Sequence, residues 1–261
     1  MNVVRYKILS GLYSLAALLL MLGAGQTVNG QQISYHRVME ETGKVRESFK
    51  ANKGTYVSCG VMYYYSTESK PTHYLDSLKG LFRMTGGVLY NKIGNTEMIR
   101  NDSVSVVLYN DDKTILAGPV ALTTTLSGHD LFVDNLDSAF VDGNVDSVVS
   151  KEANGLKTMS FYMNKSSRYY NCTLVYSSTT HVPMSLSYVL RSTKVAEIGA
   201  QPRDGSLITI LFSGYSRAAF DTSLVSIDKY IRIGADGKAK AQTAYGSYNL
   251  IQTASFRVSD N

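Results

Sequence analysis

The stretch TYVSCGVMYYY, residues 55–65, alternates with the two-residue period of a β-strand that buries one face. The period assigns one set of side chains to the first face: Val57, Cys59, Val61, Tyr63 and Tyr65. Because this face combines apolar and aromatic side chains, we expect it to pack in a core. Met62 and Tyr64 fall on the second face among small residues, where they are either partly covered or line a groove.

The same period recurs through most of the chain. It is clearest in YYNCTLVYS (169–177), HVPMSLSYVLR (181–191) and SLVSIDKYIRIG (223–234). The pairs Asn154-Gly155 and Asp236-Gly237 interrupt it with residues that suit tight hairpin turns. About eleven such strands predict a mostly β, α+β protein built on an antiparallel sheet.

Two segments have helical spacing instead. Apolar side chains three and four residues apart predict an amphipathic helix over 33–50, and a weaker pattern predicts a short helix over 126–140. The alternation breaks in two polar stretches, 66–79 and 192–205, which we interpret as long loops.

The first thirty residues have the order of an export signal. Arg5 and Lys7 precede an apolar run, and Val28 and Gly30 supply the small residues that signal peptidase requires. We therefore expect residues 1–30 to be cleaved. A retained membrane anchor is the alternative, because the apolar run approaches the length of a spanning helix.

Residues 31–261 then form a single domain, which we expect to be soluble and periplasmic or secreted. The formal net charge of the whole chain is only +5, and its basic residues are scattered. This distribution does not indicate a nucleic-acid partner.

Two cysteines, Cys59 and Cys172, lie in this domain. An oxidising compartment favours a disulfide between them, whereas two buried thiols would be equally compatible with their strands. The sequence leaves both alternatives open.

The sequence contains no motif that names a reaction. Zinc-binding, nucleophile-elbow and phosphate-loop patterns are all missing, and the four histidines are scattered. The acidic stretch 134–146 lacks the order of a calcium loop, so a polar loop is the simpler interpretation. We therefore predict no catalytic residue, no metal site, no cofactor and no enzymatic activity.

The order of elements is similar to a known superfamily. An export signal and one helix precede a long strand and then KGLFRMTGGVLYNKIGNTEMIRNDSVSVVLYNDDKTILAG (79–118), which has the pattern of four strands joined by turns. This order resembles the front half of the LolA/LolB-like periplasmic lipoprotein carriers. The chain lacks the Arg-Pro step and the tryptophans of those carriers, so no functional residue transfers by motif.

The resemblance implies a strongly curved antiparallel sheet, a half-barrel, that wraps around both predicted helices and leaves an apolar cavity. Apolar side chains on alternating strand positions are then candidates to line that cavity: Met62, Tyr64, Met84, Met159, Phe161 and Met163. Each of them is also a plausible ordinary core residue.

Three functions follow as hypotheses. The first is an exported binding or carrier protein that holds a lipid, the acyl chains of a lipoprotein or another apolar ligand. The second is a structural or interaction protein of the cell envelope, with a filled core and a protein partner. The third, a glycan hydrolase with Tyr63 and Tyr64 as sugar platforms, is opposed by the missing tryptophans and catalytic groups.

Overall fold

A computed structural model of the protein describes residues 30–51, 53–120, 144–167, 169–191 and 205–256. Gln31–Asn261 forms one compact unit. The predicted signal peptide, the predicted helix over 126–140 and most of the predicted loop over 192–205 lie outside the described residues.

One helix and fifteen strands are described, together with short 3₁₀ turns. In chain order the helix and strands are β1 (Gln31–Gln32), α1 (Tyr35–Phe49), β2 (Tyr56–Ser66), β3 (Asp76–Thr85), β4 (Val88–Ile93), β5 (Thr96–Arg100), β6 (Val104–Tyr109), β7 (Thr114–Pro119), β8 (Val145–Ala153), β9 (Leu156–Met163), β10 (Tyr169–Ser177), β11 (Pro183–Leu190), β12 (Leu207–Ser216), β13 (Ile231–Ile233), β14 (Ala239–Ala241) and β15 (Asn249–Gln252). The 3₁₀ turns are Thr222–Val225, Ile227–Lys229 and Thr243–Tyr245.

Thirteen of the strands form one sheet in the order β1-β8-β9-β10-β11-β12-β2-β3-β4-β5-β6-β7-β15. Every pair in it is antiparallel except β15 with β7, which is parallel. The predicted mostly β sheet is confirmed, with this one parallel strand added at its edge. Asn154 and Gly155 both have positive φ in the β8–β9 turn, as the sequence predicts.

Helix α1 confirms the predicted helix over 33–50 and is two residues shorter at its start and one at its end. Its N-terminus is capped by Ser34, whose side chain accepts a hydrogen bond from the Arg37 amide at 3.5 Å. Its buried stripe includes Val38, Val45 and Phe49 and packs on one face of the sheet, which we call the inner face. Val57, Cys59 and Val61 of the first face of β2 belong to the same core cluster, and Tyr63 packs against it. Tyr65 does not pack in the core as expected and is 39% exposed, because it lies near the end of β2.

The opposite, outer face is covered over β3 to β7 by the C-terminal segment 220–256. This segment brings Val225, Tyr230, Ile231 and Phe256 against the outer side chains of those strands and forms a second core cluster. Strand β6 is therefore buried on both faces.

One predicted strand and one predicted loop are corrected. SLVSIDKYIRIG forms 3₁₀ turns and only the short strand β13, because Asp221 caps a turn at Ser223 and directs the chain across the outer face. The predicted loop over 66–79 is shorter, because Asp76 to Lys79 already pair with β2. Those four positions are exposed, so their composition is that of a loop.

Candidate ligand-binding face

The inner face is best described by two rows of side chains that cross the sheet. Directly paired residues in adjacent strands point to the same side, so the strand register defines each row. The first row is Leu78, Tyr63, Ile210, Leu186, Leu174 and Met159. The second row is Tyr65, Ile208, Tyr188, Cys172, Phe161 and Val148.

Both rows run from fully buried to exposed. Met159 and Phe161, on β9, are 0% exposed, whereas Leu78 on β3 is 46% exposed and Tyr65 on β2 is 39% exposed. Tyr63 and Ile208, next to them, are half-buried and pack against the core. We call these four residues, Tyr63, Tyr65, Leu78 and Ile208, the open corner. Here the apolar core continues to the protein surface.

The contacts of α1 explain why this corner is uncovered by the helix. Phe49 packs edge-on against Phe82 and Phe212 at ring-centroid distances of 5.4 and 5.8 Å, and Ser48 donates to the carbonyl of His181. Phe82 lies towards the end of β3, Phe212 lies in the middle of β12, and His181 comes just before β11. The open corner lies at the end of β2 and at the starts of β3 and β12.

A buried carboxylate anchors the middle of α1. Glu41 accepts hydrogen bonds from the Tyr176 hydroxyl and from Lys157 Nζ, both at 2.8 Å. Burial raises the pKa of Glu41, but the bonds from Lys157 and Tyr176 and the charge of Lys157 outweigh it, so the pKa is lowered overall. The same burial and the Glu41 carboxylate raise the pKa of Tyr176.

The structure divides the six predicted cavity residues between the two faces of the sheet. Met159, Phe161 and Met163 are buried together in the inner core, and Met84 packs against that core. Met62 and Tyr64 lie on the outer face, and the Tyr64 ring packs against Tyr74 at 4.7 Å. The six side chains therefore do not meet in one place.

The sequence prediction missed Leu78 and Ile208. Leu78 lies inside a stretch with the composition of a loop, and only its pairing with Tyr63 assigns it to the inner face. Ile208 lies in SLITILFSGY, which has the pattern of a strand, but only its pairing with Tyr65 assigns it to the inner face at this corner. The alternation of β2 does assign Tyr63 and Tyr65 to the core face.

Both cysteines are free and buried in the inner core. Strands β11 and β12 lie between Cys172 on β10 and Cys59 on β2, a separation of roughly 14 Å along the sheet. This exceeds the reach of a disulfide, so the structure matches the alternative of two buried thiols. Burial raises the pKa of each thiol to about 12.

Metal-binding chemistry finds little support in the part of the chain that the structure describes. No group of three or more His, Cys, Asp or Glu side chains there is placed to hold a metal ion. The acidic stretch considered for calcium lies mostly in 121–143, outside that part.

None of the described helices is long and apolar enough to cross a membrane.

No protein-family model matches the chain, and no curated protein matches it in sequence. Solved structures that it resembles include an uncharacterized conserved protein from Thermus thermophilus, with 6% identity over 83% of this chain and 99% of that one and a TM-score of 0.47. A DUF1329 family protein from Desulfovibrio piger has 11% identity over 74% and 97% of the two chains and a TM-score of 0.38.

A LolA superfamily protein from Nitrosomonas europaea is also similar, with 10% identity over 73% of this chain and 97% of that one and a TM-score of 0.33. A LolA superfamily protein is thus among the solved structures that the chain resembles, and the likeness concerns the fold alone. No ligand or partner of these proteins transfers to this chain.

Proposed function

We propose that the protein is an exported, non-enzymatic binding or carrier protein of the periplasm that takes an apolar chain, such as an acyl chain of a lipid or lipoprotein, at the open corner. The observation that carries this proposal is the exposure of Tyr65 and Leu78 in rows that are otherwise core. Residues 31–261 are the mature domain in this proposal.

The chemistry of the corner supports an apolar ligand. Tyr65 and Leu78 flank the half-buried Tyr63 ring, so a chain lying on them buries apolar surface against an existing core. Met159, Phe161 and Met163 line the same face further in and would contact a ligand that enters more deeply. Met84 lies on this face as well, whereas Met62 and Tyr64 do not.

The outer face favours a second candidate, an envelope protein that binds a protein partner. Over β8 to β12 this face exposes Tyr162 and Leu211, and the Tyr64 and Tyr74 rings pack on each other at its β2 end. In this alternative Met62 and Tyr64 belong to the interface and the inner core stays filled.

Binding of a fluorescent sixteen-carbon alkyl probe to the purified exported protein tests the first proposal. Leu78→Asp places a charge in the contact and should weaken binding about tenfold or more. Leu156→Asp is the matched control, because Leu156 is 39% exposed but lies at the β8–β9 hairpin, where the β-period assigns it to the outer face.

The expected result is a loss of affinity in Leu78→Asp and none in Leu156→Asp. A wild-type protein that binds no probe, or two variants with equal affinity, would overturn the proposal. N-terminal sequencing of the protein recovered from a periplasm tests export separately, with cleavage expected before Gln31.

A further inference from the structure

Asn91 places a polar group among the apolar side chains of the inner face. Its cross-strand partners on that face are Phe82 on β3 and Met98 on β5, and both belong to the inner core. Asn91 is only 7% exposed, and its Oδ1 atom has no hydrogen-bond partner in the part of the chain that the structure describes. Burying an acceptor without a donor costs free energy, unless a water or a ligand supplies the missing N–H or O–H group.

Tyr63 connects Asn91 to the surface. The Asn91 side chain hydrogen-bonds to the Tyr63 phenol, which offsets part of the effect by which burial raises the pKa of Tyr63 to about 12. Tyr63 also pairs directly with Leu78. A continuous path of contacts therefore leads from the exposed Leu78, over the half-buried Tyr63 ring, to the buried amide.

The bond to Tyr63 accounts for one side of the Asn91 amide only. Because this bond lowers the Tyr63 pKa, the Asn91 Nδ2 group is its donor, and the Oδ1 acceptor with its two lone pairs stays without a partner in the described residues. The neighbouring groups on the strand register, Phe82 and Met98, offer no donor.

We propose that Asn91 Oδ1 accepts a hydrogen bond from the ligand, and that the ligand is an amphiphile with an N–H or O–H donor beside its apolar chain. This inference rests on the proposed function, since it gives the apolar ligand of the open corner a polar group at a defined place. Asn91 would then select among apolar chains by the donor they carry.

Two probes that differ by one donor test this selection. The first is N-hexadecylacetamide, whose secondary amide has an N–H, and the second is its N-methyl derivative, which has none. Each displaces the fluorescent alkyl probe from the wild-type protein below its own aggregation concentration. We expect the secondary amide to bind roughly tenfold more tightly, the range of one buried hydrogen bond.

The variant Asn91→Leu removes the acceptor and keeps a side chain of similar size. It should reduce the affinity ratio of the two probes to about one, while the N-methyl probe binds as well as before. Ser105→Ala is the matched control. Ser105 Oγ is also buried on strand β6 without a partner in the described part of the chain, and its pairing with Arg100 and Gly118 places it two strands from Asn91.

The outcomes separate the two proposals. Equal affinity of both probes for the wild type, or a ratio that Asn91→Leu leaves unchanged, overturns the role of Asn91 while apolar binding stands. Failure of both probes to bind overturns the proposed function as well. If Asn91→Leu does not fold, Asn91→Val and the wild-type ratio alone decide the question.

Discussion

One carboxylate on each face of the sheet holds the element that covers that face: helix α1 on the inner face and the C-terminal segment 220–256 on the outer face. On the inner face Glu41 of α1 is held by Tyr176 and Lys157 of the sheet. On the outer face Glu97 of β5 accepts a hydrogen bond from Tyr230 of the C-terminal segment at 3.4 Å. Glu97 also accepts from Tyr90 at 3.0 Å and from Lys92 at 3.2 Å.

The difference lies in what surrounds each carboxylate. The C-terminal segment adds ring contacts of Tyr230, Tyr245 and Tyr248 and extends the sheet through the backbone of β15. Helix α1 adds the ring contacts of Phe49 with Phe82 and Phe212 near its C-terminal end. The outer face over β3 to β7 is therefore filled by the chain itself, whereas the inner face keeps apolar surface at one corner.

The largest expected effect comes from removing the inner carboxylate. Glu41→Ala leaves the charge of Lys157, whose side chain is 13% exposed, without its partner, and should lower the free energy of unfolding by about 3 kcal/mol. Urea denaturation measures it. Glu40→Ala is the control, because the Glu40–Lys44 pair is exposed and screened by solvent, so its loss should change the unfolding free energy little. Equal losses in both variants would show that Glu41 does not anchor the helix.

The outer carboxylate should matter less, because its segment has other contacts. Tyr230→Phe keeps the ring but loses the hydroxyl bonds to Glu97 and to the carbonyl of Leu224, at a cost of about 1 kcal/mol. Amide hydrogen exchange should become faster in the C-terminal segment 220–256 and should not change in α1. Tyr162→Phe, on an exposed ring, should change neither. Faster exchange in α1 would mean that the two coverings are coupled.

These anchors mark the limit of what the sequence predicts. The alternation of β2 and the spacing of α1 are local, so they identify the inner face from residues 33–65 alone. The partners Glu41 and Tyr176 are 135 positions apart, and no local period relates them. A strand is also what the spacing predicts for Val225, Ile227, Ile231 and Ile233. These residues instead lie in 3₁₀ turns and a short strand, in a segment that buries the apolar outer face of β3 to β7.

The candidate site was predictable to the same extent. Tyr63 and Tyr65 follow from the period, whereas the exposure of Leu78 and the orphan oxygen of Asn91 depend on how β3 pairs with β2 and β4. The position of Met62 and Tyr64 on the outer face was also fixed by the period. Their assignment to a cavity needed the further knowledge of which face the helix covers.

Acid should weaken the inner anchor once Glu41 is protonated. The pKa of Glu41 is lowered from its ordinary value of 4.5, so its stabilising contribution is complete above that value and is lost as the pH falls through the lower, folded-state pKa. The difference in unfolding free energy between wild type and Glu41→Gln should therefore shrink below about pH 4.5. A difference that stays constant down to pH 2 would contradict the ion pair.

The smallest effect concerns the thiols and compares two parts of the inner face. Cys59 and Cys172 are buried, and burial raises the pKa of both to about 12, so an alkylating reagent at pH 8 should leave them unmodified for hours in the native protein. Leu78→Cys, made in a background with Cys59→Ala and Cys172→Ala, should react within minutes because that position is exposed. Mass spectrometry distinguishes the two rates. Rapid modification of native Cys172 would mean that the core opens well beyond the corner, which would extend the surface available to an apolar ligand from Leu78 to Phe161.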